Sequence, residues 1–186
     1  MRYLVAGLGN AGEEYNNTRH NAGFFALDYI SVRENLTFES ARYCFISKHR
    51  FKNRLIYFIK PTTYMNNSGK AVRYWLNYLQ LPLSSLLVVV DDIALPTGTI
   101  RLRPRGGDGG HNGLNNIIYY LGTEDFARLR IGIGDVFSKG RQVDYVLGEW
   151  EKEELEIFNP KLPVIYNAII NFALEGVEKT MSKFNE

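Results

Sequence analysis

Three histidines are the groups in this sequence suited to moving a proton near neutrality. One of them, His20, stands in "TRHNAGF", where a polar loop gives way to an apolar run. An imidazole with its ordinary pKa of about 6.5 accepts a proton at pH 7, so His20 is a candidate general base. The plainer reading is a satisfied surface residue marking a helix start. Asp91 ends the aliphatic run "LLVVVDD". A carboxylate there either caps a turn or orients an imidazole and stabilises its charged form. Three carboxamides sit beside small or polar residues in loops expected to follow strands: Asn10 in "GLGNAG", Asn66 in "PTTYMNNSG" and Asn112 in "GGHNG". An amide both donates and accepts hydrogen bonds, which suits recognition of a peptide group. A single Asn next to Gly is ordinary turn chemistry, but three in strand-end loops point to a shared ligand. His111, in the glycine-rich loop, is expected to bind ligand or support that loop. His49, between Lys48 and Arg50 near a hairpin turn, is expected to be exposed.

Other chemistries find little support. There is no G-x-S-x-G, and the single cysteine, Cys44, falls inside an expected strand, so no nucleophile stands out and attack by water is the simpler route. One cysteine excludes an internal disulfide and fits a reducing compartment. Without H-E-x-x-H or another His–carboxylate grouping at ligand spacing, neither a metal nor another cofactor is expected. "GLGNAG" formally fits the dinucleotide fingerprint, with Asp28 and Glu34 downstream. However, "EEYNNTRHNAG" follows it, which would face a pyrophosphate with two carboxylates and disfavours an immediate helix, so the match is read as spurious. A net charge of +2 over 186 residues does not by itself identify a nucleic-acid partner. Arginines cluster in "RLRPRGG" and "ARLRIG" while "EWEKEELEIF" is acidic, which hints at one basic face. No apolar stretch reaches the length of a signal peptide core or a membrane span, so the expected location is the cytoplasm with no membrane partner.

The positioning elements can be read in outline. "RYLVAGLG" is a buried strand entering a tight turn, and a helix from Asn21 places Phe24, Leu27, Ile30 and Leu36 at helical spacing. "YCFISKH" and "RLIYFIKP" form a strand pair. "KAVRYWLNYLQL" is a helix with Ala71, Val72, Trp75, Leu76 and Leu79 on one face, and Asn66, Asn67 and Ser68 are its candidate caps. "LLVVV" is a strand buried on both faces. "TIRLRP" and "ARLRIGIG" are half-covered strands with arginines on the outer face. A short helix through Leu114, Ile117, Ile118 and Leu121 lies between them, and "PVIYNAIINFALEGVEKTM" is an amphipathic tail with Ile165, Ile169, Phe172 and Ala173 on one side. Interleaved strands and helices with no linker predict one α/β domain over residues 1–186, a twisted mixed sheet flanked by helices. Ligands of such sheets bind at the carboxyl ends of the strands, where the three asparagine loops and "DDIALPTG" after "LLVVV" are expected to lie.

Taken in order, "GLGN" with "TRHNAG", "PTTYMNNSG", "DD" with "LPTG", "GGHNGL" and "RLRIGIG" resemble the bacterial peptidyl-tRNA hydrolase family, from the first strand to about residue 148. The resemblance implies a monomeric, metal-independent α/β hydrolase that cleaves the ester joining a peptide to the 3' end of tRNA. It assigns His20 as the base that activates water, Asp91 as the group that orients it, and Asn10 as the residue that distinguishes a blocked peptidyl group from a free amino acid. Asn66 and Asn112 match residues holding the peptide and the terminal nucleotide, Tyr15 and Tyr64 match tRNA contacts, and Arg103 and Arg130 match a pair that clamps the 5' phosphate. The family commonly has "NPG" where this chain has Asn10–Ala11–Gly12, and often a second histidine where Asp108 stands. "GDVFSKGRQ" and the region after "VLGEW" are poorly matched. Two rivals remain: an RNA-binding module of the same fold without activity, which retention of His20, Asp91 and the asparagines opposes, and an oxidoreductase built on "GLGNAG".

Overall fold

The computed structural model describes residues 1–185, and in them seven strands interspersed with helices are followed by a helical tail, with seven α-helices in all. They are β1 (Arg2–Gly7), α1 (Ala22–Arg33), β2 (Glu39–Ala41), β3 (Cys44–Phe51), β4 (Arg54–Pro61), α2 (Ser68–Tyr78), β5 (Leu86–Asp92), β6 (Ile100–Arg103), α3 (Asn112–Leu121), β7 (Ala127–Gly132), α4 (Gln142–Val146), α5 (Lys152–Phe158), α6 (Leu162–Glu175) and α7 (Val177–Phe184). The strands form one sheet in the order β2-β3-β4-β1-β5-β7-β6. Strands β4, β1, β5 and β7 are parallel, while β2, β3 and β6 run antiparallel to their neighbours. The expected mixed sheet flanked by helices is what forms.

Strand alternation explains the layers, because successive side chains leave opposite faces. Val5, Leu87 and Val89 meet Leu27 and Ile30 of α1 and Ile169 of α6 on one face. Leu4, Ala6, Val88 and Val90 meet Val72 and Leu76 of α2 and Leu114 and Ile117 of α3 on the other. β5, covered on both sides, therefore reads as an unbroken aliphatic run. Gly7 of "GLGNAG" and Gly23 of "TRHNAG" serve this packing. A Cβ on Gly7 would press against the Gly23 carbonyl and Leu27, and one on Gly23 would collide with Leu8 and Val89 backbone. After "GLGNAG" come two three-residue 3-10 turns, Glu13–Tyr15 and Arg19–Asn21, and no immediate helix, as the reading of a spurious fingerprint requires.

Several local expectations are corrected. α1 ends at Arg33, and Leu36 lies past it, its backbone nitrogen bonded to the Ser31 carbonyl. None of Asn66, Asn67 and Ser68 caps α2 through its side chain. A 3-10 turn over Met65–Asn67 leads straight into the helix, and Ser68 Oγ donates back to the Met65 carbonyl. The tail is two helices, broken at Gly176 where φ is 83°. His49 is not exposed: its side chain is 14% accessible and Nε2 lies 3.5 Å from Glu34 Oε2.

The largest correction concerns the arginine strands. β6 is antiparallel to β7, so the segment following Arg103 leaves from the amino edge of the sheet, not the carboxyl edge. The chain reaches β6 by crossing over the end of β7, where a Cβ on Gly132 would run into the Pro96 carbonyl. It returns through the glycine-rich segment 104–111. Arg128 is 2% exposed and far from solvating a sheet face: its guanidinium donates to the carbonyls of Gly106, Gly107, Glu124 and Phe126, pinning that returning segment. Among the described residues, no helix is long and apolar enough to cross a membrane.

Candidate active site

Asp91, the second-to-last residue of β5, is 4% exposed and uses both carboxylate oxygens. Oδ2 lies 2.9 Å from His20 Nδ1, and Oδ1 lies 2.8 Å from His111 Nε2. His20 comes from the 3-10 turn before α1, and His111 is the N-cap of α3. His111 Nδ1 accepts the backbone N–H groups of Gly113 and Leu114, so this ring carries its hydrogen on Nε2 and donates it to Asp91. At His20 the carboxylate takes the Nδ1 hydrogen, which leaves Nε2 with a free lone pair. One carboxylate thus fixes the tautomers of two imidazoles.

The charges follow from burial and pairing. Burial is the largest influence on His20 and pulls its pKa down, but the Asp91 charge and hydrogen bond outweigh it and the net direction is up. Burial likewise pushes Asp91 up, and the two imidazoles with their hydrogen bonds bring it well below the usual carboxylate range. Cys44 is no rival nucleophile, because burial pushes its thiol up to about 12.

The carboxamides gather around His20. Asn10 is buried and tied in place: its N–H donates to Asn21 Oδ1, its carbonyl accepts from Asn21 Nδ2, and its Oδ1 accepts from Met65 N–H at 2.7 Å. Asn10 Nδ2 has no hydrogen-bond partner among the described residues. Asn66 and Asn112 are exposed and border the same hollow as Asn10, Tyr15, His20 and Tyr64. Tyr64 is 57% exposed with φ 60° and ψ 161°, a backbone region essentially reserved for glycine, so its ring is held out at a conformational cost. A second hollow on the other side of His20 is bordered by Asp91, Asp92, Ile93, Asp108 and His111, and Asn112 is common to both. Asp108 accepts from Gly110 N–H and Asn115 Nδ2, bonds that hold the turn that delivers His111.

The sequence-derived RNA residues divide. Tyr15 and Tyr64 are in the cleft, whereas Arg103 and Arg130 lie outside it on the sheet face beyond α3. Arg130 is opposite Arg101, and Arg103 is opposite Arg128. Arg103 is exposed, but Arg130 Nε is bonded to Asp92 Oδ2, so it is not the free cation the alternation implied.

Four features were not foreseen. His111 was left between two roles, and its place on Asp91 depends on a loop returning across the sheet. Asn21, inside "TRHNAG", clamps the Asn10 backbone. Arg19, also in that motif, is 6% exposed and pairs with Glu154, 135 residues away, through Nε and Nη2. Its Nη1 donates to the Tyr145 carbonyl and its guanidinium lies 4.2 Å from the centre of the Tyr145 ring. That anchors α4, whose Val143 and Val146 wall both hollows. Lastly, His20, Asp91 and His111 present potential ligand atoms within 4.8 Å of one another, a grouping that sequence spacing could not reveal.

A free imidazole nitrogen backed by a buried carboxylate, in an open hollow at the carboxyl edge of a mixed sheet, suits an α/β enzyme that hydrolyses its substrate. Comparison with known proteins narrows the class. The peptidyl-tRNA hydrolase family model matches residues 4–186, further than the motifs alone reached. The chain is 48% identical over 186 residues to the peptidyl-tRNA hydrolase of Phocaeicola vulgatus and 50% identical over 189 to that of Porphyromonas gingivalis, in both cases across 100% of each chain. The crystal structure of the Acinetobacter baumannii peptidyl-tRNA hydrolase has a TM-score of 0.93 at 31% identity, over 98% of this chain and 94% of that one. The chain belongs to the peptidyl-tRNA hydrolase family.

Proposed function

We propose that this chain, a hydrolase of peptidyl-tRNA by family, cleaves the ester between the peptide and the tRNA 3' end with His20 as general base. Water bound at His20 Nε2 gives up a proton as its oxygen attacks the ester carbonyl. Asp91, accepting from Nδ1–H, holds the ring and stabilises the imidazolium that forms. Asn66 donates toward the developing oxyanion, while Asn10 Nδ2 and Asn112 bind the amide of the blocked residue and the terminal nucleotide. A positioned base supplies ~10²–10⁴ in rate and an oxyanion donor on the order of 10²–10³. The observation that carries this reading is the buried 2.9 Å His20–Asp91 contact beside three carboxamides.

On the RNA side, Tyr15 and Tyr64 offer rings for stacking unpaired bases. Exposed Arg103 and the outer nitrogens of Arg130 meet a backbone phosphate through charge-assisted bonds. The hollow that contains Asp92, Arg130's partner, then faces the acceptor stem, and the Tyr64 hollow takes the unpaired 3' end against its rings and lets the peptide out beyond Tyr64. The chain acts in the cytoplasm as a monomer and one folding unit, with no metal or other cofactor and no membrane.

His20→Ala should lower kcat on N-acetyl-aminoacyl-tRNA by ~10²–10⁴ while tRNA affinity is retained. Near-normal turnover would remove His20 as the base. Because the neutral ring is required and its pKa is raised from 6.5, kcat/KM should rise with pH with an acid limb above 6.5.

A further inference from the structure

Past Tyr64, along the same carboxyl edge, three cations stand among three tyrosines. Arg42 and Tyr43 form the turn into β3, and the Thr62 N–H donates to the Tyr43 carbonyl, joining this turn to the loop that carries Tyr64 and Asn66. Tyr43 has φ 65° and, like Tyr64, is a non-glycine residue in the left-handed region. Its ring meets Tyr74 edge-on at 5.7 Å, and Tyr74 stacks on Tyr78 at 5.9 Å with 16° between planes. The Arg42 guanidinium lies 5.2 Å from the ring centres of both Tyr43 and Tyr74, and Lys70 Nζ lies 4.7 Å from Tyr43. Arg73 is exposed one helical step from Lys70. Among the described residues, none of these three cations has a carboxylate within ion-pair distance, whereas Lys60, Arg19 and Arg130 each do. The Trp75 indole donates to the Arg42 carbonyl, so the turn is held firmly.

We propose that this aromatic and cationic patch is a distal subsite for the peptide of peptidyl-tRNA, one that selects acidic side chains. The inference rests on the reading above, in which RNA enters from the Arg103 and Arg130 side and the peptide leaves past Tyr64. The order β5-β1-β4-β3 places Tyr43 three strand spacings from Asp91, about 14 Å at ~4.8 Å each. An extended peptide covers that distance in about four residues. Residues roughly four to six from the ester therefore reach Arg42 and Lys70, while an N-acetylated single amino acid stops short. A carboxylate there gains exposed Arg42 and half-buried Lys70, and a lysine meets repulsion.

The test compares kcat/KM for peptidyl-tRNAs sharing one tRNA and one ester-linked residue, carrying either two Glu or two Lys at positions four to six, with N-acetyl-aminoacyl-tRNA as the short control. The wild type should favour the acidic peptide by on the order of 3- to 10-fold, the range expected of two surface ion pairs. The Arg42→Glu/Lys70→Glu double variant should reverse that preference while leaving the short control and the melting temperature unchanged. Equal rates on both peptides in the wild type would overturn the subsite while turnover of the control leaves the active-site reading standing. A double variant that loses tRNA affinity and slows on the control would place RNA on the patch, and overturns the subsite as well.

Discussion

The floor and the wall of the cleft are built on different principles. The floor is Asp91 with its two imidazoles and the Asn10–Asn21 clamp, all held by short hydrogen bonds between groups almost removed from water. The wall is α4, with Val143 64% and Leu147 39% exposed, fastened by one Arg19–Glu154 pair, the Tyr145 ring and the Tyr145 hydroxyl bond to the Ile133 carbonyl. Buried hydrogen bonds over-determine atom positions, as proton transfer requires. A wall fastened through Arg19 and Tyr145 alone can vary in shape without disturbing the chemistry. On the proposed mechanism, chemistry belongs to the floor and substrate fit to the wall.

The floor should be the more sensitive of the two, and Asp91→Asn tests it most severely. A carboxamide offers one acceptor and one donor where the carboxylate offered two acceptors. His111 cannot supply the compensating acceptor, because its Nδ1 is committed to the Gly113 and Leu114 N–H groups. The new Oδ1 must face His111, and the new Nδ2 must face His20. His20 then moves its hydrogen to Nε2 and can no longer accept a proton from water. The loss in kcat should be on the order of 10⁴, the scale of a wrong-tautomer imidazole. Residual activity should have its acid limb at lower pH than wild type, since the group that raises the His20 pKa is gone. A loss under tenfold, or an unmoved limb, would show that the carboxylate does not set the tautomer.

The wall should respond in KM. Arg19→Met keeps the packing length but removes the pair with Glu154, the bond to the Tyr145 carbonyl and the cation over the Tyr145 ring. Glu154, which burial would raise but which Arg19 and the Glu151 N–H hold low, is left without its main partner. A tenfold rise in KM, with kcat within about threefold, is the expected signature of lost uniform binding. A fall in kcat matching that of Asp91→Asn would mean that Arg19 supports the floor through its neighbour His20, and the division between the two regions would fail.

The sequence was legible where a local pattern carries the information. The β5 run, the helical faces of α1 and α2, and the order of strand-end loops follow local patterns, and these placed His20, Asp91, Asn10 and Asn66 at one edge, whereas Asn112 arrives there by a return across the sheet that no pattern showed. Arginines were read least well. Alternation in "RLR" gives the face a side chain leaves from but not what covers that face, so Arg128, buried against four carbonyls, looked the same as exposed Arg103. Direction was also invisible: a four-residue strand such as β6 reads alike in either sense, and only its pairing reveals that the glycine-rich segment must return across the sheet to bring in His111. Arg19 was missed because its partner is in a distant helix.

The smallest effect should come from metal removal, and here floor geometry and sequence spacing give opposite first impressions. His20 Nδ1, His111 Nε2 and an Asp91 oxygen lie close enough to hold an ion. Both imidazole nitrogens, however, carry hydrogens donated to the carboxylate, and both pairs have hydrogen-bond lengths of 2.9 and 2.8 Å. A divalent ion there would displace two hydrogens and pull the Asp91 oxygens from the bonds that fix the tautomers, leaving His20 misoriented as a base. Excess chelator should therefore leave kcat/KM on N-acetyl-aminoacyl-tRNA within experimental error, and added zinc should inhibit. Loss of activity on chelation, restored by zinc, would instead make the ion a participant and the two imidazoles its ligands.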